Sequence, residues 1–132
     1  MKVAVPEWKD RVSPVFDTAR SVVVVGVDSR REVTRTRIGF NQGSLRVRVS
    51  ALTAAGVDVL LCGAISRPLC EMLESAGIRV TPFLSGMVEE LLEAFMDGRI
   101  SDPLYLMPGC CHRRRQRRSK WKNRTIKGKE TT

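Results

Sequence analysis

The chain has 132 residues, 42% of them hydrophobic, with 23 Lys and Arg set against 14 Asp and Glu. That length suits one domain with a real core and hardly two, and no window reaches the roughly 18 consecutive apolar residues of a membrane-spanning helix. The amino terminus enters a strand pattern without the long apolar region of a signal peptide, and four cysteines without C-x-x-C spacing do not suggest a secreted disulfide scaffold. A cytoplasmic protein with no membrane partner is expected.

Charge divides the chain unevenly. Residues 1–112 hold 13 Lys and Arg and 13 Asp and Glu, whereas residues 113–132 hold ten Lys and Arg and one acid, Glu130. The formal net charge of +9 therefore belongs to the last twenty residues. This segregation predicts a domain over 1–108 and a Cys/His-containing, then basic, tail over 109–132.

Lys2 to Pro6 reads as a short apolar strand. Glu7 to Arg20 has no sustained period and is expected to be a long loop, of the kind that often carries function. Ser21 to Val27 is a Val-rich strand, Asp28-Ser-Arg-Arg31 a turn, and Glu32 to Ile38 a second strand, giving a hairpin over 21–38. Arg35 and Arg37 share one face of it, which suits an edge strand. Phe40 to Ser44 is a loop. Leu45-Arg-Val-Arg-Val49 alternates like a strand, yet Leu45, Val49 and Leu52 have helical spacing and a crossover is needed next, so a helix over 44–55 is predicted.

Val57 to Leu61 reads as a strand buried on both faces. Ser66 suits a helix N-cap, Arg67 and Pro68 the first turn, and Gly77 the stop, with Leu69, Met72, Leu73 and Ala76 on one face of a helix over 66–76. Ile78 to Thr81 resumes as a strand, completing a parallel crossover unit. Val88, Leu91, Leu92 and Phe95 form an amphipathic stripe in a helix over 87–97, with Glu89 and Glu90 in its first turns. Arg99 to Pro108, broken by two prolines, is expected to pack as an extended segment. The fold class is α/β, with a mixed sheet and helices on its faces.

Four pieces in this order carry a resemblance: Val12-Ser-Pro-Val-Phe16, Gly56-Val-Asp-Val-Leu-Leu-Cys-Gly63, Ser75-Ala-Gly-Ile-Arg-Val80 and Gly86-Met-Val-Glu-Glu-Leu-Leu-Glu-Ala-Phe95. Over roughly residues 1–100 the chain resembles the dinitrogenase iron–molybdenum cofactor biosynthesis family, the NifX-type domains. The resemblance implies a three-layer α/β/α fold, a ribonuclease-H-like motif with a mixed five-stranded sheet. It also implies a carrier or storage role for a metal–sulfur cluster, iron–sulfur or molybdenum-containing, with cluster-assembly proteins as partners. The family loop Ser-Pro-His-Phe-Gly-Arg-Ala corresponds to Ser13, Pro14, Val15, Phe16, Asp17, Thr18 and Ala19. Ser13, Phe16 and Asp17 are thereby implied as cofactor contacts, while Val15 stands where the family has its proposed histidine ligand and offers no donor atom.

Cys62 lies at the carboxyl end of a strand, where open α/β sheets place ligands, and a thiolate suits iron–sulfur and copper clusters; a small buried hydrophobe is the other reading. Cys70 flanks a helix stripe and reads as core. Cys110, Cys111 and His112 are candidate metal ligands whose neighbouring arginines favour thiolate, although adjacent cysteines chelate one tetrahedral ion poorly.

Arg113, Arg114, Arg115, Arg117, Arg118, Lys120, Trp121 and Lys122 form the alternative site. This segment would contact nucleic acid or an acidic protein, with Trp121 able to stack on a base. The bland reading is a solvated tail. No enzyme is expected. The first strand carries no acid for a two-metal nuclease, and neither a P-loop nor a Ser-His-Asp arrangement is present.

Overall fold

Alternation along the first strand sets the layers. In β1 (Lys2–Trp8) Val3 and Val5 point to one side of the sheet and Ala4 to the other, and all three are fully buried. In this computed structural model the residues described are 1–40, 44–100 and 103–106.

β3 (Ser21–Asp28) lies antiparallel beside β1, and β4 (Arg31–Gly39) antiparallel beside β3. On the other side of β1, β5 (Val59–Leu61) and β6 (Arg79–Thr81) run parallel to it. The strand order is β4-β3-β1-β5-β6, with the two-residue β2 (Arg11–Val12) paired to the end of β1. The sheet is thus mixed, with five strands along its main path and the two-residue β2 added at the end of β1.

Helices cover both faces. Ala4, Val22, Val24, Leu60 and Val80 pack with Leu52 of α1 (Leu45–Ala54) and with Leu69 and Leu73 of α2 (Arg67–Ser75). Val3, Val5, Val23, Val25, Val59 and Leu61 pack with Val88, Leu91, Leu92 and Ala94 of α3 (Val88–Met96). The one-residue alternation of the strands divides the core, as a pleated sheet with two covered faces requires.

The predicted helices and the hairpin appear within one or two residues of their expected ends. Ser66 caps α2 through its Oγ, which accepts from the Leu69 amide at 3.3 Å. Leu45–Ala54 is helix, as its crossover position requires.

Two expectations need correction. The first strand continues past Pro6 to Trp8, and the supposed irregular link folds back at once as β2, followed by a short 3-10 turn over Phe16–Thr18. The turn between β1 and β2 uses Lys9 and Asp10 at φ 52° and 67°, and the β3–β4 turn uses Ser29 and Arg30 at φ 52° and 64°. Positive φ at both central residues is what a type I′ hairpin turn demands, here met without glycine. Of the predicted extended segment Arg99 to Pro108, residues 103–105 instead form a 3-10 turn. Tyr105 is buried in the α3 layer, and Leu106 forms an antiparallel bridge with Leu84. Cys110, Cys111, His112 and the basic segment lie outside the described residues.

Candidate functional site

The strand register brings the chemistry to one end of the sheet. β1, β5 and β6 are parallel, so the segments after them, 9–16, 62–66 and 82–87, emerge together. Gly39 pairs with Ser21 and Val22 with Pro6, so the link into α1 emerges there too. All three helices consequently begin at this end. Each turns the positive end of its dipole to this end, an arrangement that favours anions, with the Ser66, Leu69 and Val88 amides already bonded to Asp17, Ser66 and Asp10.

These segments are tied by backbone hydrogen bonds. The Phe16 amide donates to the Ala64 carbonyl at 2.9 Å, and the Ala64 amide to the Pro14 carbonyl at 2.7 Å. Phe83 donates to Gly63 at 2.8 Å, Val12 to Gly86 at 3.0 Å, and Val88 to Asp10 at 2.9 Å. Gly63 is required for this closeness, since a Cβ there would lie 2.7 Å from the Pro14 oxygen and 2.8 Å from that of Ser13. Phe83 takes φ 67°, an uncommon conformation for a bulky residue, in the middle of this loop end.

The structure brings Ser13, Phe16, Asp17 and Cys62 into one neighbourhood but gives them interior roles. Phe16 is fully buried and meets Phe40 edge-to-face, with ring centroids 6.2 Å apart. Ser13 is buried, its amide bonded to the Pro6 carbonyl at 2.8 Å. Asp17 accepts from the Ser66 amide through Oδ1 at 2.8 Å, so its carboxylate secures the start of α2. Of the two readings of Cys62, cluster ligand and small buried hydrophobe, its burial agrees with the second. Cys62 stands at the strand end as predicted, one residue from Gly63, yet its relative exposure is 0% and it packs in the α1–α2 core layer.

Cys70 is buried as well. Burial first, then the charges of Glu74 and Glu71, push its thiol well above the ordinary range and keep it protonated. Among the described residues no group of three or more His, Cys, Asp or Glu is placed to hold a metal ion. What the loop end offers to solvent is the charged tip Lys9, Asp10 and Arg11 together with Pro14 and Val15, the last at 37% exposure.

Arg48 is the residue that sequence reasoning missed. It is 7% exposed, donates to the Ala19 carbonyl at 2.6 Å, and lies over the rings of Phe40 and Phe16 at 4.7 and 5.7 Å. Desolvation lowers its pKa, and the nearby Asp17 charge opposes that shift. The guanidinium thereby pins the turn after Phe16 to α1. The only sequence signal was an arginine one helical turn beyond Leu45 and Ser44, which looks the same as a surface position.

A second polar feature lies outside this loop end. A cavity of about 260 Å³ opens between β4 and the start of α3. Arg35 there binds Glu32, with Nε to Oε2 at 2.7 Å, and binds Glu89, with Nη2 to Oε1 at 3.0 Å. Arg37 pairs with Glu7 at 3.1 Å.

Comparison with solved structures finds the same fold in several proteins. The protein PH0822 is 24% identical with a TM-score of 0.71, over 75% of this chain and 91% of that one. The apo form of the orange protein from Desulfovibrio gigas is 26% identical with a TM-score of 0.63, over 74% and 88%. A Thermotoga protein of the DUF35 family is 26% identical with a TM-score of 0.60, over 74% and 89%. Comparison with curated proteins found no match. The family model described as dinitrogenase iron-molybdenum cofactor matches residues 1–98. With that match spanning the described layers and the loop end alike, the chain belongs to the dinitrogenase iron-molybdenum cofactor family.

Proposed function

We propose that this protein is a non-enzymatic carrier or storage protein for an anionic metal–sulfur cluster, held as cargo at the loop end. The observation that carries the reading is the convergence of three helix starts and three strand-end loops at that end, in a chain whose family is named for a metal cofactor. Cluster-assembly proteins are the fitting partners. The mixed five-strand path with its antiparallel hairpin supports a ribonuclease-H-like reading of the fold.

The donor chemistry narrows the ligand set. The chain has four cysteines and one histidine. Cys62 and Cys70 are buried, which leaves Cys110, Cys111 and His112 as the soft donors of this reading. Leu106 is held at the loop end by its bridge to Leu84 and by the Ser85 hydroxyl, which donates to its carbonyl at 3.2 Å. Cys110 is four residues further on, within about 14 Å of that anchor. A cluster would then sit against the amide-rich loops with thiolate and imidazole ligands arriving from the chain beyond Leu106. No described group takes the place of the ligand lost at Val15, so retention should be weaker than in a chain that keeps a histidine there.

The test is anaerobic reconstitution of the full chain with iron, sulfide, and molybdate or copper. A coloured protein with bound metal and sulfide is expected, and a Cys110→Ser, Cys111→Ser variant should lose most of it while Cys62→Ser retains it. Absence of metal uptake by the unaltered chain would sink the carrier reading. Bleaching by Cys62→Ser alone would show that the loop end opens and would move the ligand to the core thiol.

A further inference from the structure

One surface at the loop end takes no part in that reading. Trp8 closes β1 with 57% of its area exposed, although tryptophan is on average a highly buried residue. Val3 and Val5 belong to the α3 side of the sheet, and Glu7 and Asp10 line the cavity there, so Trp8 falls with Ala4 on the α1–α2 side. The Lys9 ammonium stands 4.8 Å from the centre of the Trp8 ring. Arg11 is the partner of Trp8 across the β1–β2 ladder and shares its face. Arg20 follows by register, since Pro6 pairs with Val22 and the next same-face step on each strand leads to Trp8 and Arg20.

The charge of this surface is one-sided. Lys9, Arg11 and Arg20 are exposed and make no ion pair among the described residues. The acids nearest in sequence are engaged elsewhere. Asp10 lines the cavity on the other side of the sheet, and Asp17 accepts from the Ser66 amide. α1, which begins at this end on the same side, has an exposed Arg46 in its first turn and no acid. Unpaired cations beside an exposed indole fit a chain of phosphates that carries flat rings, because the cations attract the phosphates and the indole stacks on a base. A duplex keeps its bases stacked inside, so a single strand is what such a ring can engage.

We infer that the face of the β1–β2 hairpin carrying Trp8, Lys9, Arg11 and Arg20 binds single-stranded nucleic acid, with one base stacked on Trp8 and phosphates at the three cations. Contact through ring and backbone makes the binding tolerant of sequence. The rest of the chain favours the same ligand. Leu106, the last described residue, is held to Leu84 at this end, and ten of the 26 residues after it are Lys or Arg. Arg113, the first of them, is seven residues on, a reach of at most about 25 Å. Trp8 fixes the strand on the domain, and the basic segment adds affinity without position. None of the four hairpin residues is a soft donor, so the inference stands apart from the cluster reading.

Fluorescence anisotropy tests this, with the full chain titrated into a labelled oligo-dT of about 12 nucleotides at about 50 mM salt. Trp8→Ala should weaken binding about tenfold, and Trp8→Phe, which keeps an aromatic face, much less. Changing Lys9, Arg11 and Arg20 together to Gln should make the slope of log K against log salt shallower by about two. Binding by Trp8→Ala as tight as that of the unaltered chain would overturn the inference and leave the basic segment as the whole site. No binding by the unaltered chain would overturn it as well. So would an equal Trp8→Ala loss on a duplex of the same length. Labelled polyglutamate bound as tightly, with the same loss, would overturn it in favour of an acidic protein.

Discussion

The two halves of the sheet are built to different rules. In the parallel half, β1, β5 and β6 are covered on both faces, and Leu60 and Leu61 are 0% exposed. In the antiparallel half, β3 is buried in both layers but the edge strand β4 is not, and every residue from Arg31 to Arg37 is exposed. Its ladder to β3 holds it, with Arg35 to Glu89 and Arg37 to Glu7 as side-chain ties to its neighbours. A hydrophobic interior makes one half stiff enough to position loops. The other half is an edge whose arginines and threonines discourage pairing with a further strand. The loop end belongs to the stiff half.

Mutations should separate the halves. Leu60→Ala removes a fully buried side chain between β1 and the α1–α2 layer and should cost about 2–5 kcal/mol in denaturant unfolding. Val33→Ala, at 61% exposure on β4, should change stability by about 0.5 kcal/mol or less. Equal losses at the two sites would erase the contrast.

A smaller effect is expected at the junction of the loops. Gly63→Ala drives a methyl group into the Pro14 and Ser13 carbonyls and should cost about 1–3 kcal/mol. Faster amide exchange at Phe16 and Ala64, whose hydrogen bonds close that contact, would mark the site of the strain. Unchanged exchange there would mean that the loops are less tightly joined than described.

The smallest effect belongs to the edge. Hydrogen bonding to Arg35 lowers the Glu89 pKa below its ordinary value, while partial burial opposes the shift. A depressed carboxylate stabilises the fold above its unfolded pKa, and that contribution is lost as pH falls through the lower folded value. Both side chains are more than a third exposed, so the pair is worth only about 0.2–1 kcal/mol. Comparing Glu89→Gln with the unaltered protein, the stability gap should be present at neutral pH and close in acid. A gap that persists at low pH would assign the effect to packing.

Legibility from sequence followed how strongly each position is constrained. The helix over 67–75 was readable because Ser66, Pro68 and Gly77 each have one favoured place. The helix over 45–54 was readable despite its alternating start, because a parallel crossover has to come before β5. The β1–β2 hairpin was not readable, since Lys9 and Asp10 adopt positive φ without the Gly or Asn that usually signals it. Cys62 shows the limit at the site. Position at a strand end was legible, but which way the thiol points depends on one step of register, and the core layer took it. Arg48 shows the converse, an arginine drawn inside by two aromatic rings and one carbonyl.

The bond from the Ser66 amide to Asp17 has a consequence for loading and release. The amino end of α2 is already occupied by a negative charge, lent by a neighbouring segment of the same chain. A cluster that took this place would have to evict that carboxylate, and on leaving would let it return. On the carrier reading proposed above, Asp17 would be an internal stand-in for the cargo. The exchange would transmit to α2, since the helix would trade a covalently tethered cap for a diffusible one, and the loaded and empty forms would differ at its first turn.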